Sequence, residues 1–256
     1  MINYTKKNPC YIRGFFLYNI HMHTYFDSHC HLAALNPDAT VQDALNCGVG
    51  GMVLNSANMS DWGDVIRIAS THSCVYGAIG VHPWYIKNLP NDWDVRLEKA
   101  LQENPKLILG EIGLDKYHDD MAAQIYVFTR QLEMAHQLKR GVVIHCVGMW
   151  GRVHEILRMH RNELPPFIVA HGYSGAVSDI AKFANEYNMY FSYGNRELSH
   201  GARSIARIID TPRNRILVES DSAQPSDVIK VADKISLICD VSPSIFYENA
   251  VGVFNK

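Results

Sequence analysis

Two histidines separated by one residue, His29 and His31, lie within the segment Phe26–Leu32. If this segment is a strand, the two imidazoles point to the same face and Cys30 to the other, because side chains alternate along a strand. Neutral imidazole is a ligand for Zn, Mn and similar ions. The pair alone is a weak signal, since two strand-end histidines bonded to neighbouring groups have the same spacing. It predicts half of a metal site, which other parts of the chain have to complete.

Further histidines and carboxylates follow other apolar segments of the chain. They are His82, Glu111 with Asp115 just beyond it, His145, His171 and Asp221. Each residue taken alone has a simpler structural explanation, a hydrogen-bonded polar group at the entrance to a loop. Their repetition at one segment end after another predicts that the side chains meet at one point, provided that the segments are parallel strands.

Short apolar segments alternate with amphipathic ones eight times from Tyr25 onward, which predicts strands connected by helices. The predicted strands are Tyr25–His31, Gly51–Asn55, Val75–Val81, Leu107–Ile112, Val142–His145, Phe167–His171, Met189–Tyr193 and Ile216–Glu219. Such alternation is typical of a parallel sheet with right-handed crossovers. Eight units predict a single-domain (β/α)8 TIM barrel of the α/β class, with the strand-end residues gathered at its C-terminal mouth.

An open, doubly wound sheet is the alternative fold. Such a sheet usually has a glycine-rich phosphate-binding turn after its first strand, and the segment Asp27–His31 contains no glycine. We therefore favour a barrel domain over residues 25–256. Its longest predicted helix, Met121–Lys139, is expected to end at Gly141, as helices that stop at a C-terminal glycine do.

Two segments flank the predicted strands and helices. Residues 1–24 are expected to form a loosely ordered N-terminal extension, within which Met22 is an alternative start. His21 and His23 also precede the first strand, so neither is expected to bind metal. Pro243–Asn255 is predicted to be a C-terminal helix packed against the outside of the barrel.

Composition limits the kind of protein. The 256-residue chain has 47% hydrophobic and 20% charged residues, as soluble globular proteins do. A formal net charge of −2 argues against a protein that coats nucleic acid, but it permits a metal site that attracts phosphate locally. Six cysteines without a Cys-x-x-Cys pair predict reduced thiols and a cytoplasmic protein. No apolar run approaches the roughly 18 residues of a membrane span, and no membrane or obligate protein partner is expected.

The candidate ligands exceed the needs of one zinc ion, which takes about four. Sites with this many donors hold two divalent ions about 3.5–4 Å apart, which share a bridging carboxylate and a bridging water. Glu111, on the fourth strand, is the natural bridge. The first ion is assigned His29, His31, Glu111 and Asp221, and the second ion Glu111, His145 and His171. Mixed nitrogen and oxygen ligands fit Zn, Mn and, less well, Mg.

Several motifs together resemble those of one family. They are Asp27–Leu32, Gly80–Pro83, Gly110–Asp115, Ile144–Cys146, His171–Gly175 and Glu219–Asp221. In this order and spacing they resemble the TatD-related metal-dependent deoxyribonucleases, a branch of the barrel-fold metal-dependent hydrolases. Glu111 distinguishes this branch, because related amidohydrolases usually bridge their metals with a modified lysine. The resemblance implies phosphodiester hydrolysis, with DNA as the commonest substrate.

The chain departs from the family pattern in two places. Family members usually have a longer loop after the strand-eight aspartate, whereas Asp221–Ser226 leads almost directly into a helix here. Many members also have a basic residue shortly after the strand-five histidine, where this chain has Val147–Trp150. Both departures lie where substrate would rest, so the metal site is better supported than the substrate.

The expected mechanism gives roles to individual residues. Two ions would lower the pKa of the bridging water, Glu111 would bridge the ions, and Asp221 would orient the water and take its proton. The candidate substrate-binding residues are His82, Arg196 and Lys116 for phosphate oxygens, Asp115 as support for a ligand, and Tyr173 and Trp150 for base stacking. Each also has a structural explanation, as a turn residue, a solvated charge or a buried aromatic ring.

Two other functions fit the same residues. The scaffold and ligands would also serve hydrolysis of a small cyclic amide or lactone. A catalytically idle metal-binding scaffold is the second alternative, although an idle site has no chemical reason to keep a full set of ligands. A deoxyribonuclease is the favoured function.

Overall fold

The computed structural model describes residues 25–31, 36–118 and 120–255. The predicted extension, residues 1–24, lies outside this part of the chain, and Met22, His21 and His23 lie outside it as well. The description below therefore begins at the first strand.

Eight strands are present among the described residues. They are β1 (Tyr25–Cys30), β2 (Val49–Asn55), β3 (Val75–Ile79), β4 (Ile108–Asp115), β5 (Val142–Val147), β6 (Ile168–Ala170), β7 (Met189–Tyr193) and β8 (Ile216–Val218). They form one sheet in sequence order, and each pairs in parallel with the next. Each connection between neighbouring strands carries helix, which gives the predicted alternation.

The α-helices follow the strands in turn. They are α1 (Pro37–Asn46), α2 (Trp62–Thr71), α3 (Trp93–Glu103), α4 (Met121–Gln137), α5 (Trp150–Met159), α6 (Ile180–Glu186), α7 (Asn195–Ser199), α8 (Ala202–Asp210), α9 (Val228–Cys239) and α10 (Ser244–Phe254). Short 3-10 turns precede several of them or lie in loops, at Met59–Asp61, Pro83–Asn88, Val177–Asp179, Arg213–Arg215 and Pro225–Asp227.

The sheet closes between β8 and β1. The Asp221 N–H donates to the His29 carbonyl at 3.0 Å, and the His31 N–H donates to the Ser222 carbonyl at 2.9 Å. Asp27, buried in β1, also accepts the Ser220 N–H at 2.9 Å. These bonds join the two ends of the sheet, so the predicted (β/α)8 barrel is confirmed and the open, doubly wound sheet is wrong.

Aromatic packing fills the N-terminal end of the barrel. Phe254 of α10 stacks on Phe26 of β1, with ring centroids 5.5 Å apart and an interplanar angle of 6°. Phe254 also contacts Phe167 and Tyr76, at centroid distances of 5.7 and 5.8 Å. Because α10 covers this end with apolar side chains, the opposite end is the one left open for polar groups.

Several element boundaries differ from the sequence prediction. β4 continues to Asp115, three residues beyond its predicted end, whereas β6 and β8 are short and leave His171 and Glu219 just past their ends. The helix α7 was not predicted, because five residues are too few for a helical period to be visible. Its capping contact is formed by Glu197, which accepts the Gly194 N–H at 2.9 Å.

The end of α4 also differs from the prediction. The left-handed residue is Lys139, with φ of 54°, rather than Gly141. The Arg140 N–H donates to the Ala135 carbonyl at 2.8 Å, the long-range bond of a Schellman motif. Lysine thus occupies the position that glycine usually takes, and the expected glycine stop is wrong by two residues.

The cysteines follow the prediction only in part. Cys30, Cys74, Cys146 and Cys239 are free. Cys47 is disulfide-bonded, so the expectation of free thiols throughout is wrong at this position. None of the described helices is long and apolar enough to cross a bilayer.

Substitution of Gly113 in β4 tests how tightly β4 and β5 pair. Its φ is +154°, and a Cβ built there would lie 1.8 Å from the carbonyl oxygen of His145. Because the backbone of His145 occupies the position of the added Cβ, we expect Gly113→Ala to lower the free energy of unfolding by about 3 kcal/mol or more. Denaturant unfolding followed by circular dichroism measures the change.

Gly63→Ala is the matched control. Gly63 lies in α2 with nothing within 4 Å of an added Cβ, so alanine should stabilise the helix by up to about 1 kcal/mol. A Gly113→Ala protein as stable as Gly63→Ala would contradict the close approach of the two strands.

Candidate metal centre

Two register shifts aim side chains into the open mouth of the barrel. The pairing of β1 with β2 shifts between Asp27 and Cys30, and that of β4 with β5 shifts between Leu109 and Ile112. Such irregularities re-aim side chains beside functional sites. The first contains His29 and the second contains Glu111, and the His29 Nε2 contacts a carboxylate oxygen of Glu111.

One oxygen of Glu111 faces three histidines. Besides the contact with His29, Oε1 lies 3.4 Å from the His31 Nε2 and 3.8 Å from the His171 Nε2. The two Nε2 atoms of His29 and His31 are themselves 3.2 Å apart. The His31 ring is oriented through its Nδ1, which lies 3.1 Å from the Asn55 carbonyl. These donors surround a single point beside Oε1.

The other oxygen of Glu111 faces two more histidines. Oε2 lies 3.1 Å from the His82 Nε2 and 3.9 Å from the His145 Nδ1. The rings of His82 and His145 meet edge to face, with centroids 4.3 Å apart. Glu111 thus separates two groups of imidazoles, one at each carboxylate oxygen.

Asp221 completes the first group. Its Oδ1 lies 3.9 Å from the His29 Nε2 and 3.8 Å from the His31 Nε2, and its Oδ2 lies 3.9 Å from the His171 Nε2. Donor atoms about 3–4 Å apart are the spacing expected of ligands that share an ion about 2.0–2.2 Å from each. Asp221 is placed here by its backbone bond to His29, which is part of the barrel closure.

The donor atoms form three overlapping clusters within the described residues. Each cluster has its ligand atoms within 4.8 Å of one another: His29, His31 and Asp221; His82, Glu111 and His145; and His29, His171 and Glu219. The first matches the set assigned from the sequence to the first ion, which also included Glu111. The second differs from the predicted set, because His82 rather than His171 accompanies Glu111 and His145.

Buried charges determine which groups are ionised. Burial raises the pKa of Glu111, but the interaction with His29 and the hydrogen bonds from His31 and His82 outweigh it and hold that pKa well below its usual value. Burial lowers the pKa of His145 to about 3, and burial together with the charge of His171 lowers that of His29. Glu111 is therefore a carboxylate and these two imidazoles are neutral at pH 7, the states that ligate metals.

His31 and His171 have the opposite shift. Burial lowers the pKa of each, but nearby carboxylates outweigh it: Glu111 and Asp221 raise that of His31, and Glu219, Glu111 and Asp221 hold that of His171 well above its usual value. The carboxylates thus create a negative potential that favours positive charge at this mouth. A divalent cation fits such a potential and the mixed donor set.

Glu219 is a buried residue whose role the sequence did not reveal. Its Oε1 lies 2.9 Å from the His171 Nδ1 and accepts the Gly172 N–H at 3.0 Å. This contact directs the other ring nitrogen, Nε2, toward Glu111 and Asp221. The sequence identified the motif that contains Glu219. The position of a carboxylate at a strand end does not show which histidine it contacts, because that contact depends on the tertiary structure.

Asp115, a candidate supporting residue, lies beside His145. Its Oδ2 is 3.4 Å from the His145 Nε2 and accepts the Trp84 indole N–H at 2.7 Å, and its Oδ1 accepts the Tyr117 N–H at 2.9 Å. The sequence did not predict the contact of Trp84 with Asp115, because the spacing of the two residues along the chain does not indicate that they meet.

The predicted substrate-binding residues divide into accessible and inaccessible ones. His82 and Arg196 line a cavity of about 430 Å³ over the Glu111 carboxylate, and exposed Trp84 and Tyr117 line it as well. Tyr173 is wrongly assigned, because its ring is fully buried and its hydroxyl donates to the Ala176 carbonyl at 2.9 Å.

Trp150 and Lys116 were also predicted to contact substrate. Trp150 is also buried and packs on Tyr173 at a centroid distance of 4.8 Å, so it supports the core instead of stacking on a base. Lys116 is exposed, and its Nζ lies 4.7 Å from the Tyr117 ring centroid.

Comparison with known proteins agrees with this arrangement. Residues 26–253 match the family model described as TatD related DNase. The uncharacterized metal-dependent hydrolase YjjV of Escherichia coli K12 is 25% identical over 251 residues, which cover 91% of this chain and 95% of its own. The 3′-5′ ssDNA/RNA exonuclease TatD of Citrobacter koseri is 28% identical over 149 residues, 56% of this chain and 55% of its own.

Solved structures share the fold. The crystal structure of E. coli YjjV has a TM-score of 0.83 at 23% identity, covering 92% of this chain and 99% of its own. A TatD family hydrolase from Entamoeba histolytica has a TM-score of 0.77 at 17% identity, covering 90% and 97%. Since the family match spans nearly all of the barrel, and its motifs meet at one mouth, this chain belongs to the TatD-related DNase family of metal-dependent hydrolases.

Proposed function

We propose that this protein hydrolyses phosphodiester bonds of DNA with two divalent ions held at the barrel mouth. The observation that carries the proposal is the position of Glu111, whose two carboxylate oxygens face two separate groups of imidazoles. A carboxylate between two groups of nitrogen donors is suited to bridge a pair of ions.

The donor sets suggest which residues would hold each ion. His29, His31 and Asp221 would hold the first together with Glu111, while Glu111 and His145 would hold the second. His171, which the sequence assigned to the second ion, has its Nε2 within 4 Å of Glu111 Oε1 and of Asp221, so it lies beside the first set. His82, whose Nε2 lies 3.1 Å from Glu111 Oε2, would complete the second set. Zn and Mn suit these nitrogen and oxygen donors better than Mg.

When bound, the ions supply Lewis-acid stabilisation of phosphate charge and lower the pKa of the attacking water. The chain itself supplies positioning and a base. Asp221 has a half-exposed carboxylate at the edge of the site, which is suited to orient the water and take its proton. Arg196 lines the same cavity and is suited to hold the phosphate.

The cavity favours a nucleotide as the bound group. Trp84 and Tyr117 are exposed at its edge, where an unstacked base can lie against an aromatic ring. The Citrobacter koseri relative is named as an exonuclease of single-stranded DNA and RNA, which agrees with a site reached by a flexible strand. The positive ions and Arg196 would give local attraction despite the overall charge of −2.

Removal of the bridging carboxylate tests the mechanism. In Glu111→Gln the amide keeps the shape of the side chain but cannot bridge two cations as a charged group. We expect kcat/KM for a single-stranded DNA oligonucleotide to fall more than about 100-fold, because the loss of a direct ligand exceeds that of a supporting residue. Gel analysis of the products, with chelated protein reloaded with Zn, Mn or Mg, measures the change.

Glu103→Gln, exposed at the end of α3, is the control and should keep full activity. A panel of lactones and cyclic amides assayed alongside separates the small-molecule alternative. Full nuclease activity in Glu111→Gln would contradict the two-ion mechanism. Tight metal binding with no turnover of any phosphodiester, lactone or amide would support the idle scaffold.

Glu219 is expected to act on metal affinity through His171. Glu219→Gln keeps an oxygen to accept the Gly172 N–H but removes the charge beside the imidazole. We expect the affinity for Zn to fall about 10- to 100-fold, as for other residues that orient a ligating histidine. Competition with a chromophoric chelator measures the affinity.

Glu186→Gln, exposed at the end of α6, should leave the affinity unchanged. An unchanged affinity in Glu219→Gln as well would show that the contact with His171 has no part in metal binding.

A further inference from the structure

A second cavity continues from the metal centre along the outside of the mouth. A pocket of about 210 Å³ beside His171 and Asp221 is lined in part by Ser174. Ser174 also lines an adjoining groove of about 520 Å³, which runs between the loop after β5 and the loop after β6 toward α8. We call this adjoining cavity the α8 groove; it is lined by Gly148, Trp150, Gly151, Ser174, Gly175, Ala176, Val177, Arg203 and Arg207.

The α8 groove is positively charged. Arg203 and Arg207 stand one helical turn apart on α8, and no Asp or Glu is among the described residues that line the groove. Arg196, which lines the pocket beside the metal centre, supplies a third cation nearer the ions. The three arginines therefore extend positive charge from the metal centre into the groove.

Two of these arginines have no partner among the residues that the structure describes. Within the described residues, the guanidinium groups of Arg196 and Arg203 form no hydrogen bond or ion pair, and both side chains belong to exposed residues. Arg207 differs, because its Nε donates to the Gly175 carbonyl at 2.6 Å and its Nη1 to the Ser204 hydroxyl at 3.0 Å. Arg207 thus fixes the wall of the groove, and Arg203 and Arg196 are free to bind an anion.

A lysine approaches the groove from the opposite wall. Gly148 has φ of +67°, and a Cβ there would lie 3.1 Å from the Lys116 Nζ. Lys116 therefore lies across Gly148, which lines the α8 groove. The sequence lacks a cation in the segment Val147–Trp150, and the fold brings one there from the end of β4.

We propose that the α8 groove binds the phosphate backbone of a single-stranded polynucleotide that extends from the metal centre. The inference rests on the proposed nuclease function and adds the path of the strand. Small residues in the walls of the groove let a nucleic-acid backbone approach closely. The arginines that are free to bind an anion are spaced along the path, as successive phosphates are along a strand. A small amide or lactone would not reach these arginines. Contacts to phosphate do not read the base, so DNA and RNA strands should bind alike.

Binding without catalysis tests the proposal. Metal-free protein is titrated into a fluorescein-labelled single-stranded DNA of mixed sequence, and anisotropy is measured over a range of salt concentrations. We expect Arg203→Gln to weaken binding about 3- to 10-fold at low salt and to reduce the slope of log K against log salt by about 0.7, the value for one lost phosphate contact on a single strand. Arg203→Glu should weaken binding further, because it reverses the charge.

Arg161→Gln is the matched control. Arg161 is exposed after α5, at the other end of the barrel, and it too forms no ion pair with a described residue. Its substitution should leave both affinity and salt slope unchanged. Equal binding by Arg203→Gln, Arg203→Glu and Arg161→Gln would overturn the proposal, as would an effect of Arg203 that is confined to duplex DNA.

The same experiment separates the groove from the nuclease function. Arg203-dependent binding of single-stranded DNA and RNA by a protein that hydrolyses neither would support the groove and contradict the nuclease. Hydrolysis of a small phosphodiester such as bis-p-nitrophenyl phosphate, together with strand binding that ignores Arg203, would support the catalytic site and contradict the groove.

Discussion

The charge of one buried carboxylate, that of Glu111, is the constraint on which the rest of the structure depends. A carboxylate removed from water is stable only if positive or hydrogen-bonding partners replace its hydration. Glu111 obtains them from imidazoles on several other strands, which keep its pKa low despite burial. Those imidazoles are held in turn by Asn55, Asp115 and Glu219. The result is a mouth rich in both nitrogen donors and negative charge, which suits the binding of divalent cations.

The barrel accommodates these buried polar groups because its apolar packing and its polar site lie at opposite ends. The N-terminal end is filled by Phe26, Phe167 and Phe254 and supplies apolar burial, the main stabilising contribution of such a domain. The C-terminal end is then free to hold polar groups that would destabilise a core. Closure between β8 and β1 couples the two roles, because the backbone bonds that complete the sheet also bring Asp221 to His29.

The proposed binding of a polynucleotide strand depends on charge that the composition does not reveal. The chain is slightly acidic overall, at −2, yet Lys116, Arg196 and Arg203 come from three separate segments to one side of the mouth. A local field of this kind attracts an anionic strand whatever the net charge, because screening limits each charge to about 10 Å or less at physiological salt. The missing basic residue after His145 thus argued less strongly against a nucleic-acid substrate than the sequence suggested.

Periodicity and residue type determined the fold and the ligand types, because both are local properties. Alternating apolar segments sufficed to predict the eight-stranded barrel, and histidines and carboxylates at strand ends sufficed to predict a metal centre at one mouth. The tertiary structure alone decided which donors share a point. Register shifts in β1 and β4 aim His29 and Glu111, and the pairing of His171 with Glu219 and of His82 with Glu111 depends on distances across the barrel. Tyr173 is fully buried and so cannot contact substrate. Burial depends on the packing of the whole chain, so the spacing of residues along the sequence does not predict it.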